Sequence, residues 1–271
     1  MVVRDLTEEF ITRVIGAGDA KSYEGLNPEL FCHYFNHWCP RSYHYSNLSE
    51  SELRARSRRV RRTLDDLIPL FESKRYDCRN LSAVLFVGGN TSNGHALLNG
   101  THSVIWLPVE TYANEMRARV FVAHEIVHAL HYTLSPDFYF QDEEARLNLG
   151  RQLITEGLAT FLSAEILGIS DREALWADYL NASLWEQWIS TCQGRAVAIR
   201  SLCRVYFSTT WGRELFQAND PENIMRYRAG YFVGLCLVRE VAEEKQLSCR
   251  ELLSLERGEF EKLVLERLVR A

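Results

Sequence analysis

Between Asn80 and Val109 the chain carries no Asp, Glu, Lys or Arg. A charge-free stretch of that length is a bilayer span or a buried sheet, and this one is too rich in Asn, Gly and Ser to sit in hydrocarbon. Leu81 to Val87 and Ser103 to Leu107 are β-branched and aromatic enough to be strands. The polar run Gly88-Gly89-Asn90-Thr91-Ser92-Asn93-Gly94 between them is turn chemistry, and His95 to Leu98 fits a short further strand. The segment therefore predicts a small sheet.

On both sides of it the apolar spacing is helical. Up to about residue 77 the chain reads as helices: Asn27-Pro28-Glu29 is a cap followed by proline at the first helical position, and Ser49 or Ser51 opens the next helix. Leu53, Val60, Leu64, Leu67, Ile68 and Phe71 form its apolar stripe, and Arg54, Arg56, Arg58, Arg59, Arg61 and Arg62 fall mostly on its solvated remainder. After Pro108 the helical pattern returns, with segments at about 113–132, 142–167, 171–189, 196–208, 221–244 and 249–269. Gly168 is the clearest stop signal and Asp220-Pro221 the clearest start. No period of 20 to 50 residues repeats and no Pro/Ser/Gly-rich linker divides the chain. The expectation is a mainly helical α+β fold in one unit, 1–271, made of an N-terminal helical region (1–77) and a core (78–271) whose small sheet precedes one special helix.

Composition excludes several classes of function. With 31 Lys plus Arg against 36 Asp plus Glu, the net charge of −5 gives no overall positive field for nucleic acid or anionic membranes. The most apolar charge-free run, Ala229 to Val238, is half the roughly 20 residues that a spanning helix needs. The opening Met1-Val2-Val3-Arg4-Asp5-Leu6-Thr7-Glu8-Glu9 turns acidic before an apolar stretch builds up, unlike a signal peptide. Seven cysteines, an odd number without a C-x-x-C pair, fit reduced thiols. A soluble cytoplasmic protein, with no nucleic acid and no membrane among its partners, is expected. Cys32, His33, His37 and Cys39 could ligate a metal, but they interleave with Phe31, Tyr34, Phe35 and Trp38 and read better as aromatic packing.

The special helix contains His124-Glu125-Ile126-Val127-His128. With 8 His and 26 Glu in 271 residues, chance would give this H-E-x-x-H arrangement about 0.02 times per chain. Residues four apart share a helix face, so the two imidazoles can converge on one Zn2+. Glu125 points away from a third ligand position and is instead placed to take a proton from a water that the metal acidifies. Catalytic zinc needs a third protein ligand. The metzincin completion fails, because it would require glycine at His131 and histidine at Leu134. A glutamate on a following helix remains, and Glu156 is the best candidate: it lies in the apolar pattern Leu149, Leu153, Ile154, Leu158, Phe161 and Leu162, where an unpaired carboxylate would be costly. Gly157 and Ala159 beside it leave room for close helix approach, while Glu143, Glu144 and Glu165 are its rivals.

H-E-x-x-H followed by a helix bearing Glu156-Gly157-Leu158-Ala159 resembles the gluzincin branch of zinc metallopeptidases, the thermolysin-like peptidase MA clan with its predicted zinc-dependent proteases, over roughly Leu81 to Glu244. The resemblance implies a zincin-like catalytic core, with the N-terminal helices as an addition to it. It implies one Zn2+ per chain, held by His124, His128 and Glu156. It also implies substrate binding by edge pairing along a strand before the helix, which puts Ala96, Leu97 and Leu98, or the Gly88-Gly89-Asn90 turn, beside the cleft. The family tends to have a later G-Y-x-x-G element, matched here by Gly230-Tyr231-Phe232-Val233-Gly234. Tyr231 would then donate to the oxyanion, with Tyr227, one helical turn earlier, as the other candidate. The Glu-Gly-Leu-Ala context differs from that of the classical thermolysin third ligand, and no acid that would orient His124 or His128 is identifiable. The implied function is a zinc-dependent peptidase acting on a peptide or protein. From another class, the alternative is a regulatory or interaction protein whose metal site is structural or vestigial.

Overall fold

The structure, a computed structural model, describes residues 1–42, 44–140 and 142–270. Its elements run β1 (Val2–Asp5), α1 (Thr7–Phe10, continued by a π-helical turn over Ile11–Gly16), α2 (Ala20–Glu24), α3 (Pro28–His37), α4 (Glu50–Ser73), β2 (Leu81–Phe86), β3 (His95–Asn99), β4 (His102–Pro108) and α5 (Glu115–Leu134). There follow α6 (Glu143–Leu147), α7 (Leu149–Leu167), α8 (Asp171–Trp176), α9 (Ala182–Gly194), α10 (Ala196–Tyr206), α11 (Ala229–Lys245), α12 (Cys249–Leu253) and α13 (Arg257–Arg270). The fold is α+β and mainly helical, with one small sheet just ahead of α5. Two compact units divide the chain, residues 1–129 and 130–271, the division falling within α5.

In the first unit the strand order is β1-β2-β4-β3; β2 is parallel to both β1 and β4, and β3 pairs antiparallel with β4. The two-residue turn Gly100-Thr101 closes the β3–β4 hairpin, and Gly100 supplies the positive φ (62°) that such turns demand. Alternation sends neighbouring side chains to opposite faces. Phe86 and Trp106 meet α3 on one face, through Tyr34 (5.1 Å between ring centres), Phe31 (5.9 Å) and His33 (5.4 Å). On the other face the Ser103 hydroxyl donates to the Ala129 carbonyl of α5 (3.2 Å), and Ser57 of α4 donates to Asp5 of β1.

β1 departs from the all-helical reading of residues 1–77. Four residues are too few to display a period, and this strand is defined by its pairing with β2, from Val2↔Ser82 to Asp5↔Leu85. Helices α3 and α4 start where the caps predict: the Asn27 side chain accepts from Leu30 N–H (3.3 Å), and Ser49 forms a capping box with Glu52. Leu53, Val60, Leu64, Leu67 and Phe71 of α4 are buried. Its arginines bind the unit together: Arg54 reaches Glu8 (2.8 Å), Arg59 reaches Glu115 (3.3 Å) and the Tyr112 carbonyl (2.9 Å), and Arg56 donates to the Glu110 carbonyl.

In the second unit α7 and α11 approach most closely, and glycine permits it. A Cβ on Gly157 would fall on the carbonyl of Gly234 and 2.8 Å from its Cα, and a Cβ on Gly234 would lie 2.5 Å from the Leu153 carbonyl oxygen. Three of the expected long helices, 142–167, 171–189 and 249–269, are interrupted, the last between α12 and α13. Asn148 ends α6 and caps α7 through Arg151 N–H (2.9 Å). Ala177, at φ 48°, ends α8 before Asn181 caps α9. Asp220-Pro221 lies in a turn rather than at a helix start, and α11 begins at Ala229, after Arg228 at φ 62°. Gly168 ends α7 in the left-handed region (φ 64°), as its position predicts. Among the described residues no disulfide joins any of the seven cysteines. Among the described residues no helix is long and apolar enough to cross a membrane.

Candidate active site

Helix α5 is apolar around most of its circumference, and such a helix is a buried one. Val120, Val122, Ala123, Ile126, Val127 and Ala129 are buried, and so are His124, Glu125 and His128, each no more than 7% exposed. Placing two imidazoles and a carboxylate there is expensive unless they are engaged. The spacing of four brings the His124 and His128 rings to 4.7 Å between centres, with their Nε2 atoms 3.0 Å apart. Two nitrogens bound at about 2.0 Å to one tetrahedral ion would be roughly 3.3 Å apart, so the pair is already close to a chelating geometry.

Glu125 is held from the side of the sheet. Gly94, the residue before β3, passes so near it that a Cβ there would lie 2.7 Å from Glu125 Cγ and 3.1 Å from Cδ. Glycine at the end of the polar turn is therefore what gives the glutamate its space. Ala96 and Leu97 of β3 are buried and Leu98 is half-buried; β3 is an edge strand of the sheet, so its outer side carries backbone groups of the kind an extended peptide can pair with.

Glu156 lies on α7, half-buried among Leu153, Ile154, Leu158 and Ala159, one residue before the glycine that lets α11 approach. One nitrogen each of His124 and His128 and one carboxylate oxygen of Glu156 all lie within 4.8 Å of one another. Among the described residues this is the only group of three or more His, Cys, Asp or Glu side chains able to hold a metal ion. Two imidazoles and a carboxylate are a donor set that suits Zn2+ and leaves a fourth position open. The Cys32, His33, His37 and Cys39 set forms no such group; His33 packs on Trp106 and against the rings of His37 (4.7 Å) and Trp38 (5.9 Å).

Tyr231, in the first turn of α11, is half-buried, with Phe216 edge-on to its ring at 5.4 Å. The Arg228 guanidinium lies over that ring at 4.3 Å and over Trp176 at 5.1 Å. Burial pulls the Arg228 pKa down, while Tyr231, Glu156, Tyr179 and Tyr227 push it back up. Arg228 thus lies within electrostatic reach of both Tyr231 and Glu156. Tyr227 does not share the helical face of Tyr231: it lies outside α11, separated from it by left-handed Arg228, with its ring 4.8 Å from Trp176 and its carbonyl accepting from the Trp188 indole (2.7 Å). The expectation that it lies one helical turn before Tyr231 fails for that reason.

Sequence reasoning passed over Glu110 and the approach of Gly94 to Glu125. Glu110 had a signal: it is the first charge after the uncharged stretch, set among Val109, Thr111 and Tyr112, and it is 3% exposed. Comparison with curated proteins and with solved structures gives no match. A family model described as "Predicted Zn-dependent protease (DUF2268)" matches residues 89–262, well over half of the chain, from the Gly88–Gly94 turn into α13. By that match the chain belongs to the predicted Zn-dependent protease family DUF2268.

Proposed function

We propose that this chain is a zinc-dependent peptidase of the gluzincin kind, with one Zn2+ held by His124, His128 and Glu156. The observation that carries this is the convergence of two imidazole nitrogens and a carboxylate oxygen within 4.8 Å, beside a buried glutamate that is not among the ligands. When bound, zinc would supply a Lewis acid for the scissile carbonyl and bring the pKa of a water toward neutrality. Glu125 takes the proton of the attacking water and returns it to the leaving amine. Tyr231 donates its phenolic hydrogen to the developing oxyanion, and Arg228, seated over the ring, fixes its orientation. The outer edge of β3, at Ala96, Leu97 and Leu98, pairs with an extended segment of a peptide or protein substrate.

The test is a cleavage screen: zinc-loaded protein is incubated with a complex peptide library and new termini are read by mass spectrometry. The expected result is a reproducible set of cuts that disappears with a chelator and returns with added zinc. Cleavage that persists unchanged after the metal is stripped, or no cleavage at all by fully zinc-loaded protein, would refute the reading.

A further inference from the structure

The turn from Val87 to Gly94 is anchored by buried side chains rather than by its own backbone. The Glu110 Oε1 accepts the N–H of Gly88 (3.1 Å) and of Asn90 (3.0 Å), and the N–H between them, that of Gly89, donates to the Tyr34 hydroxyl (2.9 Å). Three successive N–H groups thus converge on two buried side chains, and Asn90 takes φ 58° to let them do so. This is a backbone nest of the type that binds anions, filled here by a carboxyl group of the same unit. Burial pushes the Glu110 carboxyl pKa up, against the pull of those N–H groups. Further along the turn, the Tyr34 hydroxyl pairs with Thr91 Oγ1 (3.3 Å), the Tyr112 hydroxyl donates to the Asn93 carbonyl, and Gly94 N–H donates to Ser92 Oγ (3.3 Å). The next contact is that of Gly94 with the Glu125 side chain.

We infer that Glu110 is a positioning residue for Glu125: by clasping the N–H groups of Gly88 and Asn90 it sets the shape of the turn that seats Gly94 against the catalytic glutamate. This rests on the reading of Glu125 as the general base. Displacing a reacting group by about 1 Å can cost about 10²-fold in rate, so the consequence is measurable.

The test compares wild type with Glu110→Ala, Glu110→Gln and Tyr34→Phe. Four quantities are read: kcat, KM, zinc per chain, and amide hydrogen exchange over residues 88–94 and 149–167. Glu110→Ala should lower kcat about 10²-fold with KM within about threefold. It should retain zinc and should exchange faster over 88–94 alone. Glu110→Gln, whose amide oxygen can accept the same two N–H groups, should stay within about fivefold of wild type in kcat. Tyr34→Phe keeps the ring but loses the acceptor for Gly89; it should show the same pattern, more weakly, and it carries the test if Glu110→Ala does not fold. Wild-type kcat in Glu110→Ala, loss of zinc in step with activity, or a Glu110→Gln as impaired as Glu110→Ala would overturn the proposal. If wild type itself cleaves nothing, the exchange data separate the two ideas. Faster exchange over 88–94 in Glu110→Ala upholds the clamp while the peptidase reading falls, and unchanged exchange overturns the clamp as well.

Discussion

Replacing Glu125 by Gln should lower the proposed peptide hydrolysis by about 10² to 10⁴-fold and leave zinc content and Tm near wild type. The size follows from the role: a positioned acid–base group contributes about 10² to 10⁴-fold, and an amide of the same shape can neither take nor return the proton. Zinc is retained because the converging ligand atoms belong to His124, His128 and Glu156 and not to Glu125. Stability is retained because the side chain keeps its volume in a position only 7% exposed, against a glycine that leaves no slack for a larger group. Kinetics on a peptide found in the cleavage screen, with zinc and Tm measured on the same preparations, decide it. A Glu125→Gln variant as fast as wild type would remove the general base from the mechanism, and one that lost its zinc would make Glu125 a ligand.

The second large effect is on stability. Gly157→Ala should destabilise the protein by about 3 kcal/mol, because the added methyl group meets backbone, the Gly234 carbonyl and Cα, and not the yielding end of a side chain. At about 2 to 4 °C per kcal/mol for a chain approaching this size, Tm falls by roughly 6 to 12 °C. Gly234→Ala, which meets the Leu153 carbonyl, should behave alike. Gly194→Ala is the control: a Cβ at that position finds nothing within 4 Å, so the change should stay within about 0.5 kcal/mol. Thermal unfolding of the three variants measures all of this. A Gly157→Ala protein melting within a degree of wild type would mean that α7 and α11 are not held at that separation. Because Glu156 adjoins Gly157 and Tyr231 lies three residues before Gly234, the same pair of glycines also brings two of the proposed site residues onto closely packed helices.

What could be read from the sequence was what depends on local pattern. The uncharged run Asn80 to Val109 announced a sheet because deep burial without charge, broken by turn residues, has few other solutions; the structure places β2, β3 and β4 there. His124 and His128 were legible because helix periodicity fixes which residues share a face. Glu156 stands out in the sequence because a single acid in an apolar helix needs a partner, and a carboxylate oxygen of it lies within 4.8 Å of the His124 and His128 nitrogens. The rest depends on approach between elements distant in sequence, which no local period encodes. The pairing of β1 with β2, the crossing at Gly157 and Gly234, and the passage of Gly94 past Glu125 are of this kind. Helix interruptions at Asn148 and Ala177 were hidden by continuous apolar spacing across them, and Tyr227 was misplaced because a left-handed arginine is not signalled by residue type.

We propose above all that His124, His128 and Glu156 hold one zinc ion. Elemental analysis of natively purified protein, with His124→Ala and Glu156→Ala processed in parallel, tests it most directly. About one zinc per wild-type chain, lost from both variants, is the predicted result. Zinc retained at wild-type stoichiometry by Glu156→Ala, or a wild-type protein that takes up no zinc even after reconstitution, would contradict it.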